Sequence, residues 1–341
     1  MIKTLETLCL MSGVSSYEDG VREFIQQEAA PYATSMQIDT IGNLIVFKRG
    51  EKSTGEKLML TAHMDEVGLM IRTVNEEGYL KFVAVGGIDR RVLIGKRVLV
   101  GKSKLPGIIG LKAHHLVSRD EEKKIPKLSE FYIDIGAESA QEAKTLVAPG
   151  DVAVFDQKPT EFGDGLYRAK AIDDRIGCAV MLELIKRPLP MDCTFTFSVQ
   201  EEVGTRGAFG AAFSIQPEIA LILEGTTAAD IPSMEDHKKV CIPGNGPVIP
   251  FMDGGAVYDR ALFELLRDLA VQHEIPWQTK HYIAGGTDAS AIQTSREGVR
   301  VAGISAAVRY LHTPSGVVSI RDFALMQQLA YKFIEAIAAR S

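Results

Sequence analysis

Six side chains in five short segments have the chemistry to hold divalent metal ions. They are His63 (TAHMDEVG), Asp173 (AIDDRIG), Glu201 and Glu202 (SVQEEVG), Glu224 (LILEGTT) and His312 (YLHTPSG). Imidazoles and carboxylates without a thiolate suit borderline metals such as zinc, cobalt or manganese. A paired metal site with one carboxylate to spare is equipment for hydrolysis. The segments are scattered between residues 63 and 312, so only folding can assemble them.

Each segment also has a plainer reading. His63 and Asp65 lie two apart, so on a strand their side chains share a face, and a carboxylate beside a metal-bound imidazole fixes its tautomer. The alternative is a core histidine satisfied by a local aspartate. Asp173-Asp174 precedes the apolar run IGCAVMLELI, where an aspartate caps helix N–H groups; one can cap while the other binds metal. Glu201-Glu202 ends the run CTFTFSVQ, and at a strand end neighbouring residues point apart, which would leave one carboxylate free to carry protons. The alternative is an exposed acidic strand end. Glu224 closes the buried run IALILE, at the strand end where α/β folds place ligands, and His312 follows VRVAGISAAVRY in a loop. A solvated strand end and a surface-turn histidine are their alternatives. Asp288, in the run GGTD, is a candidate pocket neighbour, with a structural turn as the plainer role. Singly these signals are weak; their order and contexts together point to a metal centre.

The elements that must position them are legible in outline. Two helices open the chain, with Ser15 or Ser16 capping the second. MQIDTIGNLIVFKRG reads as a hairpin, and KLMLTAH as a buried strand delivering His63. After Lys158 helical runs alternate with buried strands, the pattern of an α/β layered sheet. Residues 72–157 are different: short β-branched runs are punctuated by Gly86-Gly87, Gly95, Gly101, Gly107, Gly110 and Gly150, the texture of a small β-barrel. Candidate ligands flank that stretch, so it reads as an insertion. The expected organisation is a three-layer α/β/α catalytic domain with a mixed central sheet, residues 1–71 and 158–341, interrupted by a barrel-like domain. The charged segment Val117 to Glu130 reads as a mobile surface loop.

Composition narrows the function classes. Hydrophobic residues are 46% and charged residues 24%, ordinary for a globular protein. A formal charge of −6 argues against a general nucleic-acid binder. No apolar run reaches the ~18–20 residues of a membrane span, and the opening MIKTLETLCLMSG reads as a helix, not a secretion signal. Cys9, Cys178, Cys193 and Cys241 form no C-x-x-C pair and read as reduced thiols of a cytoplasmic protein.

In this order, TAHMDEVG, AKAIDDRIG, SVQEEVGTRGA, LEGT, GGTDA and RYLHTPSG resemble the tetrahedral, self-compartmentalising metallo-aminopeptidases of clan MH, a family of glutamyl and leucyl aminopeptidases with some members named endoglucanases. The resemblance spans essentially the whole chain. It implies two metals per subunit bridged by Asp173, with His63 and Glu224 on one and Glu202 and His312 on the other. It implies Glu201 as general base, Asp65 as partner of His63, and a cis peptide between Asp173 and Asp174. Many relatives carry aspartate where this chain has Glu224, so the longer side chain bears on metal position and preference. The implied substrate is a peptide with a free N-terminus, and the implied assembly is a homo-oligomer, dodecameric in relatives. N-acyl amino acid deacylation, glycan hydrolysis and a non-catalytic, metal-stabilised assembly module are the competing readings.

Overall fold

The computed structural model describes residues 1–53 and 55–340. Its central sheet has six strands in the order Ser35–Ile38, Leu44–Lys48, Cys193–Ser198, Leu58–His63, Ile219–Thr227, Arg300–Val308. The first two form the hairpin and pair antiparallel, while the last four run parallel to one another. The sheet is therefore mixed, as the alternating pattern requires.

Strand alternation builds the layers. Leu58, Leu60, Ala62, Leu221 and Leu223 face a core shared with helices Ile172–Ile185, Arg260–Gln272 and Ile320–Ala338. Their neighbours Met59, Ala220 and Ile222 point the other way, against Ala208 and Ala212 of helix Arg206–Ile215 and Ile292 of Ala289–Gln293. Helix Ile172–Ile185 is buried almost all round, which explains why its sequence shows no polar face.

The glycine-punctuated stretch closes into a six-stranded barrel of Gly68–Val74, Leu80–Val85, Arg97–Val100, Leu105–Gly110, Tyr132–Asp134 and Val152–Phe155. Leu69, Ile71, Leu80, Phe82, Val98 and Ile133 give it a core of its own. A small antiparallel sheet, Thr160–Phe162, Leu166–Ala169 and Gly316–Ser319, follows where the chain leaves the barrel.

One local expectation fails and another gains detail. The opening helices are Ile2–Leu10 and Asp19–Ala29, but neither Ser15 nor Ser16 caps the second; Glu18 holds the cap position. The hydroxyl of Ser15 instead donates to the buried carboxylate of Asp65 at 2.6 Å, a charge-assisted bond, where a cap would have its oxygen accept from a helix N–H. The segment Val117 to Glu130 lies at the surface as expected and carries two short turns: helix Arg119–Glu122 starts with a capping box of Ser118 and Glu121, and a 3₁₀ turn spans Leu128–Glu130. The S-x-x-E signature was present beneath the charge density.

Candidate metal centre

Because strands Cys193–Ser198, Leu58–His63 and Ile219–Thr227 are parallel, their carboxyl ends lie side by side. His63 is the last residue of its strand and is buried. Glu224 faces it from the neighbouring strand, which continues to Thr227 instead of closing at the glutamate. Asp173 and Asp174 open helix Ile172–Ile185 with non-helical torsions and are joined by a cis peptide bond. Their roles divide. Asp174 accepts from the amides of Gly177 (3.0 Å) and His63 (3.1 Å), capping the helix and pinning the strand end. Asp173 turns toward the imidazoles.

Asp173 faces both of them. Its Oδ1 lies 3.2 Å from His63 Nε2, and its Oδ2 lies 3.4 Å from His312 Nε2. Each imidazole then has a second carboxylate: Glu224 Oε1 is 3.3 Å from His63 Nε2, and Glu202 Oε1 is 3.2 Å from His312 Nε2. The opposite nitrogens are already engaged. His63 Nδ1 lies 3.1 Å from the Asp65 carbonyl oxygen, and His312 Nδ1 lies 2.9 Å from that of Gly87. A proton held at Nδ1 leaves the Nε2 lone pair aimed at carboxylates, which repel it unless a cation sits between them.

The donor set fits divalent metals. Ligands ~2.0–2.1 Å from a tetrahedral zinc lie about 3.3 Å from one another, and the four Nε2–carboxylate separations run from 3.2 to 3.4 Å. Glu202 Oε1 is buried with no hydrogen bond. His63, Asp173 and Glu202 bring ligand atoms within 4.8 Å of one another, as do His63, Asp174 and Glu224. The electrostatics report the same need for positive charge. Burial opposes an imidazolium at His312, but Asp173 and Glu202 outweigh it and push the ring up to about 11. His63 is likewise held well above the usual histidine range, with Glu224, Asp173 and Asp65 overcoming burial.

Glu201 stands apart. It lines an open cleft of about 360 Å³ together with Asp173, Glu202, Glu224 and His312. Burial raises its carboxyl, and Asp288, Asp173 and Glu202 add to that against His63, leaving it at about 8. Its strand ends at Ser198, so Glu201 and Glu202 sit on a turn, with Gln200 at a φ of 57° and Gly204 at 115°, and strand alternation does not set their directions. Asp65 holds that turn. Its Oδ1 accepts from Glu201 N at 3.0 Å and its Oδ2 from Glu202 N at 3.2 Å. The pairing of Asp65 with His63, 3.3 Å between Oδ1 and Nδ1, likewise arises after the strand has ended, not along it.

The barrel takes part directly. Gly87, whose carbonyl orients His312, lies just past barrel strand Leu80–Val85. At Gly86, with a φ of 79°, a Cβ would sit 2.8 Å from Val67 Cγ1 and 3.3 Å from Glu202 Cβ, so the close approach needs glycine.

Sequence reasoning missed the buried ionic cluster behind the centre. Lys170 Nζ donates to both Glu66 oxygens at 2.7 Å and to the Met11 carbonyl at 2.8 Å. Arg175 Nε donates to the Met64 carbonyl at 2.8 Å, next to His63. Charges inside the otherwise apolar runs around Asp173 were the available signal. Asp288 is 1% exposed, and its Oδ2 accepts from Ser198 Oγ at 2.6 Å; Thr287 and Ser290 line the cleft in its place.

A mixed sheet carrying a histidine–carboxylate cluster at the ends of its parallel strands defines a hydrolase of the layered α/β class with a candidate metal site. The chain belongs to the M42 glutamyl aminopeptidase family, whose model matches residues 42–329, and it is a peptidase. It is 32% identical over 334 residues to the lysyl aminopeptidase of Pyrococcus furiosus, covering 95% of this chain and 93% of that one. An aminopeptidase of the archaeon Desulfurococcus kamchatkensis superposes with a TM-score of 0.93 at 34% identity, covering 98% of this chain and 94% of the other. The TET1 peptidase of Pyrococcus horikoshii, described as assembling into a tetrahedron or a large octahedral shell, gives 0.87 at 34% identity and 98% coverage of both chains.

Proposed function

We propose that this chain is a dinuclear metal-dependent aminopeptidase that removes the N-terminal residue from short peptides with a free amine. The observation that carries the reading is Asp173, whose two oxygens face two different imidazoles, each backed by its own second carboxylate. Asp173 would bridge the pair, His63 and Glu224 would hold one metal, and Glu202 and His312 the other. Zinc or cobalt suits these donors best, and manganese is also served. Two such ions, when bound, polarise a carbonyl and bring a water's pKa toward ~7.

The remaining work falls to side chains. Glu201 accepts the water's proton and returns it to the leaving amine, a role its place in the cleft beside Asp173 and Glu202 allows. Asp65 keeps Glu201 and Glu202 in position through their amides. Asp65 and Gly87 fix the two imidazole tautomers. Family membership favours peptide hydrolysis over the deacylase, glycan and non-catalytic readings.

The reading extends to organisation: a catalytic domain, expected at residues 1–71 and 158–341, and an insert, expected at 72–157 and with its first barrel strand starting at Gly68, that serves assembly and access. A homo-oligomer is supported by the shells described for the Pyrococcus horikoshii protein. Among the described residues no helix is long and apolar enough to cross a membrane. The four cysteines are free and buried, which supports a cytoplasmic setting.

The test is Glu201→Gln, with metal content measured by elemental analysis and hydrolysis measured on aminoacyl-p-nitroanilides and N-blocked peptides. Two metals retained with at least a 100-fold loss on free-amine substrates is expected. Normal cleavage by the variant would remove Glu201 as base, and wild-type cleavage of blocked substrates alone would move the reaction to deacylation.

A further inference from the structure

Arg309, the charged residue of the run RYLHTPSG, has no part in the metal centre described above. It stands just ahead of His312, at the point where its chain changes partner. Strands Ile219–Thr227 and Arg300–Val308 pair in register as far as Thr227 and Val308, and the Ala228 amide still donates to the Val308 carbonyl at 3.0 Å. At Arg309 the backbone turns to Val317 instead. The Arg309 amide donates to the Val317 carbonyl at 2.9 Å, and the Val317 amide donates back at 3.0 Å. The guanidinium reaches to Asp230, just past the strand that carries Glu224. Its Nε lies 2.8 and 3.0 Å from the two Asp230 oxygens, and its Nη2 donates to Oδ2 at 2.6 Å. The ion pair thus ties the two chains together just beyond the end of their backbone ladder.

The loop that bears His312 needs such an anchor. Tyr310 has a φ of 56° and His312 a φ of 57°, left-handed torsions that residues with a Cβ hold only where their surroundings enforce them. Thr313 Oγ1 donates to the Tyr310 carbonyl at 2.7 Å and accepts from the Ser315 amide at 3.1 Å. Those bonds are local, so they set the shape of the loop and not its direction from the sheet. A planar guanidinium held on both oxygens of a carboxylate fixes an angle that a single bond leaves free. The Asp230 side chain is 6% exposed and that of Arg309 26%, so solvent screens this pair less than a surface one. Gly87 holds the ring from the barrel side at 2.9 Å, and the ion pair holds the root of the loop from the sheet side.

We infer that Arg309 and Asp230 are positioning residues: they aim the loop of His312 and so set the affinity of the metal that His312 and Glu202 would hold, without touching metal or substrate. The inference rests on the dinuclear reading above.

The experiment titrates zinc by calorimetry into metal-free, full-length wild type, His312→Ala, Arg309→Gln, Arg309→Lys, Asp230→Asn and the double variant Asp230→Asn/Arg309→Gln. Amide hydrogen exchange is followed on the same metal-free proteins. Wild type should take two zinc ions and His312→Ala should lose one of them. Arg309→Gln and Asp230→Asn should each weaken that same ion about 10–100-fold, the loss expected when a group orienting a ligand is removed, and leave the other unchanged. Arg309→Lys keeps the charge without the fork and should recover part of the affinity. The double variant strands no buried charge, and it should be no worse than Arg309→Gln because the pair acts as a unit. Amides between residues 310 and 317 should exchange about 10-fold faster in Arg309→Gln, with the central sheet unaffected. An Arg309→Gln variant that weakens both ions alike, or neither, overturns the inference. If His312→Ala still binds two ions, the metal assignment of His312 falls; faster exchange confined to 310–317 then still supports the pair as the anchor of the loop, and unchanged exchange removes that role too.

Discussion

Changing Asp65 to asparagine preserves shape and alters only charge and hydrogen-bond direction, which makes it a sharp test of how the centre is built. Four donors converge on this fully buried carboxylate: Ser15 Oγ at 2.6 Å, the amides of Glu201 at 3.0 Å and Glu202 at 3.2 Å, and His63 Nδ1 at 3.3 Å. An amide keeps one acceptor oxygen and turns the other position into a donor. Kept at the Oδ1 position, the oxygen still serves Glu201 and His63. The new NH₂ then faces Ser15, whose hydroxyl can rotate to accept, and the Glu202 N–H, which cannot. One charge-assisted bond is lost, about 1.5–3 kcal/mol, and a buried N–H is stranded at about 1–3 kcal/mol. Allowing for relaxation, metal-free Asp65→Asn should be about 3 kcal/mol less stable in urea unfolding, with an unchanged m-value. Because the displaced turn carries Glu201 and Glu202, kcat/KM should also fall about 10–100-fold.

The pH dependence adds a signature. Burial raises the Asp65 carboxyl, but His63, Ser15 and the Glu201 amide outweigh it and hold the group below the usual carboxylate range. A depressed acid contributes its full stability above its unfolded value of ~3.9 and loses it as pH falls through the folded value. The deficit of Asp65→Asn should therefore be constant at neutral pH and shrink only in acid. A variant within about 0.5 kcal/mol of wild type and fully active would refute this account of the turn.

Two further changes probe the frame. Glu18 accepts from the amides of Ser16 (2.9 Å) and Gln200 (3.1 Å), and burial together with Asp65 pushes its carboxyl up to about 7. The folded state thus binds the extra proton between ~4.3 and about 7, so stability falls as pH rises through that window. Glu18→Gln keeps the acceptor without the charge; denaturation from pH 5 to 8 should show a flatter profile and about 1–3 kcal/mol more stability above pH 7, and superimposable curves would exclude the effect. At Gly177 an added Cβ would lie 2.6 Å from both Asp174 Oδ1 and the Leu223 carbonyl oxygen, so Gly177→Ala must displace the cap or the strand bearing Glu224. A loss of about 1–3 kcal/mol in thermal unfolding, with reduced activity, is expected; a wild-type Tm would show that the helix yields freely.

Local patterns in the sequence carried the types of the elements and the chemistry of the centre. The apolar run ending at His63, the acidic pair before IGCAVMLELI and the glycine-spaced insert are each readable because burial period, capping and turn chemistry are properties of neighbouring residues. What joins those pieces is set by sheet order. Strand Cys193–Ser198 slips between Leu44–Lys48 and Leu58–His63, and that insertion brings Asp65 to amides 136 and 137 residues away. The same is true of the Gly87 carbonyl on His312 and the ionic cluster of Glu66, Lys170 and Arg175. A hydrogen-bond partner, or the lack of one, is fixed by distances across packed layers. A linear pattern reports that a residue is buried, and only the tertiary fold decides what it is buried against.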